Sequence, residues 1–308
     1  MKTKSDFDVL IIGGGPGGLS AALWCSDLGL TSLVLEENSE LGGQLLIVHN
    51  PIKNYLGVEA KNGRELRDIF LRQIAECNST LKLNAKVVDL DPDANTVTLA
   101  GGEKYTGRAI VVATGVRRRR LNIPGEVEFA GRGILESGFA SKDKVLGKQV
   151  IIIGGGDAAL ENAVILSETA AKVTVVHRRD VFSARSEFVK RAEAAGNVEF
   201  IFDSSIAAIL GDERVTAVDI KNERTSATLH MEVDAVLIRI GVQPNTELFL
   251  GEIKLDDLGY ISVEESCETS RNEIFAVGDA ANRLAPTIST ATGMAAATAK
   301  FIAFRFQK

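Results

Sequence analysis

Two glycine-rich segments of the 308-residue chain have the residue types and spacing to hold phosphate. The first is Gly13-Gly14-Gly15-Pro16-Gly17-Gly18 and the second is Gly154-Gly155-Gly156-Asp157-Ala158-Ala159. In the first, Gly13, Gly15 and Gly18 stand at GxGxxG spacing. Gly13 permits a tight turn, Gly15 lets the backbone come close to a pyrophosphate, and Gly18 lets the following helix pack on the preceding strand. Ala159 takes the third place in the second copy and is small enough for the same packing. A helix that opens at such a loop offers the anion free N–H groups and a partial positive charge. Different chemistry then follows at the same interval, 23 residues counted from 13 to 36 and from 154 to 177. Glu36 can accept hydrogen bonds from ribose hydroxyls. His177-Arg178-Arg179 cannot do that, but its two guanidiniums can grip a 2′-phosphate that a carboxylate would repel. The second segment is therefore expected to prefer NADPH.

The elements needed to position these residues are legible around them. Val9–Ile12 and Val150–Ile153 are continuous aliphatic runs suited to strands buried on both faces, and each is followed by glycines and then by helical composition. A second short strand closes each unit, Ser32–Leu35 in the first and Val173–Val176 in the second, completing two βαβ motifs of one design. Between them the pattern predicts a helix over 64–76, a hairpin-like pair over 86–90 and 96–99 through Asp91-Pro92-Asp93, and a strand over 109–113 that ends in Thr114-Gly115. The second unit continues with a helix over 185–194 and strands over 198–202, 215–220 and 235–240. A strand over 274–277 then runs into Gly278-Asp279, and an Ala-rich helix over 293–306 follows.

Composition narrows the classes of function. The 35 Lys and Arg against 41 Asp and Glu leave a net charge of -6, which offers no electrostatic case for nucleic acid or an anionic membrane. The stretch from Lys2 to Asp8 leads into an apolar run too short for a signal-peptide core. The uncharged stretch 284–299 is mostly Ala, Thr, Ser and Gly rather than the roughly 20 strongly apolar residues of a membrane span. A cytoplasmic protein is expected. Cys25, Cys77 and Cys267 are odd in number and have neither CxxC spacing nor His or Cys neighbours, so no structural disulfide or metal site is expected.

The ordered motifs resemble those of the low-molecular-weight thioredoxin reductases and their relatives over nearly the whole length. They are the loop at 13–18, Gly42-Gly43-Gln44-Leu45, Ala113-Thr114-Gly115, the loop at 154–159, His177-Arg178-Arg179-Asp180 and Ala276-Val277-Gly278-Asp279-Ala280. The resemblance implies an α/β protein of two Rossmann-like nucleotide-binding domains, each of three-layer ββα type, the second inserted in the first. An FAD-binding domain would comprise residues 1–115 and 244–308, and an NAD(P)H-binding domain residues 116–243. It further implies a homodimer. FAD would be held by Gly13, Gly15, Pro16, Gly17, Gly18, Glu36, Gly43, Gln44, Thr114, Gly115, Gly278 and Asp279, with Gly42–Gln44 near the phosphates and ring and Asp279 on the ribityl chain. A helix N-cap is the alternative role for Asp279. NADPH would be held by Gly154, Gly156, Asp157, Ala158, His177, Arg178 and Arg179.

The chain departs from the family where disulfide chemistry would occur. The flanks Gly131-Arg132-Gly133 and Gly147-Lys148 align without a gap, yet the redox CxxC positions fall on Ser137 and Ala140. Neither can form a disulfide. The usual third basic residue after His-Arg-Arg is Ser183, with Arg185 two positions on, and Pro286-Thr287 replaces an Arg-Gln pair common in the reductases. No side chain stands out as acid, base or nucleophile. The leading expectation is a reductase that passes electrons directly from flavin to a ferredoxin or flavodoxin, with Arg117–Arg120 as either a basic docking face or an ordinary linker. Reductases of that kind usually extend beyond the last helix, whereas this chain ends at Lys308. An oxidase or quinone reductase, a disulfide reductase using other thiols, and a redox-sensing flavoprotein are the alternatives.

Overall fold

A computed structural model describes residues 5–307; residues 2–4 of the N-terminal stretch and Lys308 lie outside the described residues. The chain divides into two compact units, one made of the chain through Arg117 and again from Gln243, the other of Arg118–Val242.

In the first unit β1 (Phe7–Ile12), α1 (Pro16–Asp27) and β2 (Ser32–Leu35) form the first βαβ motif. They are followed by α2 (Gly63–Ile74), β3 (Ser79–Lys82), β4 (Val87–Asp91), β5 (Thr96–Leu99) and β6 (Lys104–Val112). The chain leaves this unit through β7 (Val116–Arg118). Strands β3, β2, β1 and the end of β6 pair in parallel, while the start of β6 turns antiparallel onto β5 and β4. Strand β6 runs to nine residues because it serves both layers, which its local pattern alone does not show.

The second unit opens with β8 (Ile134–Leu135) and the short α3 (Gly138–Ser141). Its βαβ motif is β9 (Gln149–Ile153), α4 (Asp157–Ser167) and β10 (Lys172–Val176). Helix α5 (Ser186–Ala194) and strands β11 (Val198–Ile201), β12 (Ser204–Gly211), β13 (Val215–Asn222), β14 (Thr228–Glu232) and β15 (Ala235–Ile238) follow. The parallel sheet has the order β11-β10-β9-β15-β8, and β12-β13-β14 form a separate antiparallel layer. The chain returns through β16 (Val242–Pro244), then β17 (Ile274–Ala276), which pairs with the end of β6, and α6 (Ile288–Phe306).

Side-chain alternation along the buried strands builds two cores per unit. Val9 and Ile11 of β1 face α1, α2 and α6, whereas Leu10 and Ile12 face Leu90, Val97 and Leu99 of the antiparallel layer. Val150 and Ile152 of β9 likewise face α4, and Ile151 and Ile153 face Ile209, Val218 and Ile220. Both sides of each parallel sheet are covered, which is why its strands read as unbroken apolar runs. Strands β12 and β14 escaped the sequence reading: β14 is exposed along most of its length and has no apolar period. Helix α6 begins five residues earlier than 293, because Thr287 and Thr290 form a reciprocal capping box.

Candidate functional site

At the end of β1 the first loop separates glycines the fold requires from one it does not. A Cβ on Gly13 would lie 2.4 Å from the Ala113 carbonyl, and one on Gly18 would lie 1.9 Å from the Gly13 carbonyl. Gly15 is different. A Cβ there would meet only the Gly43 Cα, at 3.8 Å, so this glycine faces open space. Gly15 is also the N-cap of α1, with Pro16 at its first position, no side-chain cap and no acidic residue in the first turn. The free N–H groups and the positive end of α1 thus point where no group of the described residues satisfies them, as a pyrophosphate site requires.

The other residues expected to hold FAD gather around this loop. Gly43 is 3.0 Å from Gly15 by the same measure, Gly17 packs on Val277 and Ala291, and Gly278 packs on Ala291. Gln44 Nε2 donates to the Val116 carbonyl (2.7 Å), next to Thr114 and Gly115. Asn245, which sequence reading missed, braces that turn: its amide donates to the Thr114 carbonyl, its N–H donates to the Gly115 carbonyl, and its own carbonyl accepts from Thr114 Oγ1. Glu36 is buried at the end of β2, where its carboxylate accepts from the Gly14 N–H (2.7 Å) and from the N–H and amide of Asn38. Three of about four acceptor positions are taken, which leaves one for a hydroxyl.

Asp279 is half-buried, and its carboxylate has no hydrogen bond or ion pair among the described residues. It caps nothing: the short turn 278–280 has Val277 at its N-cap and no side-chain cap bond. Burial pushes its carboxyl above the usual aspartate range. A half-buried acceptor without a donor among the described residues suits a hydroxyl-bearing ligand such as a ribityl chain.

In the second unit the same device recurs. Gly154 is required, since a Cβ there would approach the Arg239 carbonyl to 2.1 Å, while a Cβ on Gly156 would meet only Ser183 Oγ at 3.9 Å. Gly156 is the uncapped N-terminus of α4. Asp157, in the first turn, would oppose an anion, but its carboxylate is turned onto Arg185, accepting from Arg185 N–H and Nε at 2.7 Å each. Arg185, two positions beyond Ser183, is thereby tied to the loop. Ser183 holds the Gly155 carbonyl through both its N–H and its hydroxyl. Ala158 lies on the exposed side of the first turn and accepts from the Asn162 amide.

The three residues after β10 part company. His177 is buried beneath the loop, so close that a Cβ on Gly155 would fall 2.3 Å from its ring, and its Nε2 donates to the Val181 carbonyl. Burial, then the charges of Arg179 and Arg178, hold the imidazole below its ordinary pKa, which keeps it neutral at pH 7. His177 therefore supports the loop from below. Arg178 and Arg179 are exposed and their guanidiniums form no ion pair or hydrogen bond among the described residues, whereas Asp180 pairs with Arg224. Two uncommitted guanidiniums beside an uncapped helix fit a phosphorylated ribose.

Nothing in place of the dithiol is reactive. Ser137 is buried as the N-cap of α3, its Oγ accepting from the Ala140 N–H, and Ala140 is exposed. Burial pushes the Cys25 thiol up to about 12 and raises Cys267 as well; Cys77 donates to the Gln73 carbonyl. The run at 117–120 is exposed, and three of its four arginines have acceptors. Arg117 pairs with Glu247, Arg118 donates to the Glu136 carbonyl and Arg119 to the Val242 carbonyl. Among the described residues no helix is long and apolar enough to cross a membrane, and no group of three potential ligands could hold a metal ion.

The pyridine nucleotide-disulphide oxidoreductase family matches residues 7–295. The chain belongs to that family. It is 34% identical over 293 residues to the thioredoxin reductase of Mycolicibacterium smegmatis, covering 93% of this chain and 92% of that protein. It is 36% identical over 290 residues to the thioredoxin reductase of Listeria monocytogenes, covering 93% and 90%. A 34.2 kDa protein in the rubredoxin operon of Clostridium pasteurianum is 31% identical over 299 residues, covering 94% of each. The structure of this chain is similar to one of Lactococcus lactis thioredoxin reductase, with a TM-score of 0.85, 29% identity and coverage of 98% of this chain and 99% of that one. As a family member this chain is an FAD-dependent NAD(P)H oxidoreductase of thioredoxin reductase type, and its cofactors are FAD and NADPH. The two uncapped helix starts and their neighbouring polar groups fit two such dinucleotides.

Proposed function

We propose that this oxidoreductase delivers electrons from NADPH through FAD directly to its acceptor, without a dithiol relay, and that the acceptor is a one-electron carrier of ferredoxin or flavodoxin type. Bound, the two nucleotides supply the redox chemistry, hydride donation by NADPH and release of electrons singly from FAD. The chain's residues bind and orient. The start of α1 with Gly15 takes the FAD pyrophosphate, Glu36 its ribose and Asp279 its ribityl hydroxyls, in the unit closed by β17 and α6. The start of α4 takes the NADPH pyrophosphate, and Arg178 and Arg179 its 2′-phosphate.

The single observation that carries the reading is the helix-capping Ser137 with exposed Ala140 where a dithiol would stand, together with Cys25 and Cys267, whose thiols burial raises. A disulfide reductase needs two thiols able to meet, one of them poised as a thiolate. The rubredoxin-operon relative favours a small redox protein as partner. Three unpaired cysteines favour a reducing compartment, the cytoplasm, and the thioredoxin reductase likeness favours a homodimer.

The test is anaerobic reduction of the bound flavin by NADPH, followed by mixing with ferredoxin, flavodoxin, a quinone, oxygen or oxidised thioredoxin. Rapid reoxidation by a one-electron carrier, with none by thioredoxin, is expected. Turnover of thioredoxin that vanishes in Cys77→Ser would overturn the direct route, and reoxidation by quinone or oxygen alone would overturn the carrier.

A further inference from the structure

The order β11-β10-β9-β15-β8 reverses direction between β9 and β15, and a nucleotide in an open α/β sheet lies across the carboxyl ends at such a switch point. Arg178 and Arg179 follow β10, on one side of it. Arg239 follows β15, on the other. Its N–H donates to the Ile153 carbonyl (2.7 Å), and its own carbonyl is the atom that makes glycine obligatory at position 154. Arg239 is thus part of the wall of the glycine loop.

Its guanidinium is half-buried and reaches only main-chain carbonyls, those of Ile238 and Glu136, each at 2.8 Å. Arg118 donates to the same Glu136 carbonyl. Two guanidiniums therefore share one neutral acceptor, and neither has an ion-pair partner among the described residues; the Glu136 carboxylate attracts Arg118 only from beyond pairing distance. Burial first, and then the charge of Arg118, push Arg239 down to about 10. Like charges drawn together without a counter-ion destabilise one another, and an anion between them reverses the sign.

We propose that Arg118 and Arg239 form a second phosphate clamp of this unit, gripping the phosphate on the nicotinamide side of the dinucleotide while Arg178 and Arg179 take the 2′-phosphate. The clamp rests on the reading that the second glycine loop takes a pyridine nucleotide. A phosphate suits the pair because a guanidinium donates in a planar fork that matches phosphate oxygens. The nicotinamide ring, neutral in NADPH and cationic in NADP+, would give the two charges nothing to neutralise.

Binding of NADP+ and of adenosine 2′,5′-bisphosphate, which keeps the 2′-phosphate but lacks the nicotinamide half, tests this by calorimetry on the flavin-loaded protein. Arg239→Met and Arg118→Met should each weaken NADP+ about tenfold, the loss of one charged phosphate contact, and leave the bisphosphate essentially unchanged. Arg239→Lys should fall between. The Arg178→Ala, Arg179→Ala protein should lose affinity for both ligands. NADP+ binding unchanged in the methionine variants overturns the clamp while the nucleotide reading stands, and equal weakening of both ligands overturns it by marking a packing role. Wild-type protein that binds neither ligand overturns the nucleotide reading and the clamp with it. Circular dichroism checks the fold of each variant, and Arg118, on the exposed entering segment, reports independently if Arg239→Met unfolds.

Discussion

Asp279 has no donor among the described residues, and its raised pKa fixes a sign for stability. The folded state favours the protonated form, so whatever stability this group contributes is present below its unfolded value and is lost as pH rises through its folded value. At neutral pH the ionised group destabilises the flavin-free protein. Asp279→Asn should therefore raise the melting temperature of flavin-free protein and flatten its dependence on pH in the acid range, while weakening FAD about tenfold or more through loss of a charged acceptor. Differential scanning calorimetry and flavin titration check the two arms; a lower melting temperature in the variant would show that Asp279 has a structural donor. The glycines give a second contrast. Gly15→Val places its side chain in open space and should fold normally but lose FAD, whereas Gly18→Val should fail to fold, because its Cβ would collide with the Gly13 carbonyl. Flavin absorbance after purification, beside circular dichroism, distinguishes the two. At Arg178 and Arg179, the double alanine variant should narrow the preference for NADPH over NADH by about tenfold to a hundredfold, read from the rate of flavin reduction. Equal rates with both donors in the wild type would remove the argument for a 2′-phosphate site.

Helix α6 shows what a cap contributes to an element. Its long Ala-rich body has helical propensity, but the first turn, from Ile288, contains Ser and Thr and would fray without the reciprocal bonds between Thr287 and Thr290. That turn carries Ala291, against which Gly17 and Gly278 pack, so fraying would loosen the wall of the first loop. Thr287→Ala should cost about 1 kcal/mol in urea unfolding and weaken FAD modestly. A variant as stable as wild type would mean that the cap bonds are formed equally well with solvent. Pro286-Thr287, which stands where the reductases commonly have Arg-Gln, thus has a local reason in the start of α6.

At the scale of the whole molecule, the hydrophobic cores of the described residues lie two to a unit. Each unit has the buried surface to unfold as its own cooperative block. Thermal unfolding of the flavin-free protein should show two transitions, one raised selectively by FAD and the other by NADP+, because a ligand stabilises only the block that binds it. A single transition raised equally by both ligands would contradict this independence.

The covalent neighbourhood of the two loops was enough to reveal their strand, turn and helix, since each depends on runs of apolar residues and glycine spacing within about 15 positions. The absence of a dithiol at 137 and 140 and the exchange of Glu36 for His177-Arg178-Arg179 were legible for the same reason. Direction and partnership were not. That His177 turns under Gly155 while Arg178 and Arg179 stay outside, that Asp157 is neutralised by Arg185, and that Arg117, Arg118 and Arg119 each find an acceptor all depend on which residues the fold brings together. Asn245 meets Thr114 across 131 positions of chain and Arg239 meets Glu136 across 103. Hydrogen bonds and burial act over a few ångströms in space whatever the separation along the chain, so a residue's type and spacing set the chemistry it can do and the tertiary structure decides which of it is already used.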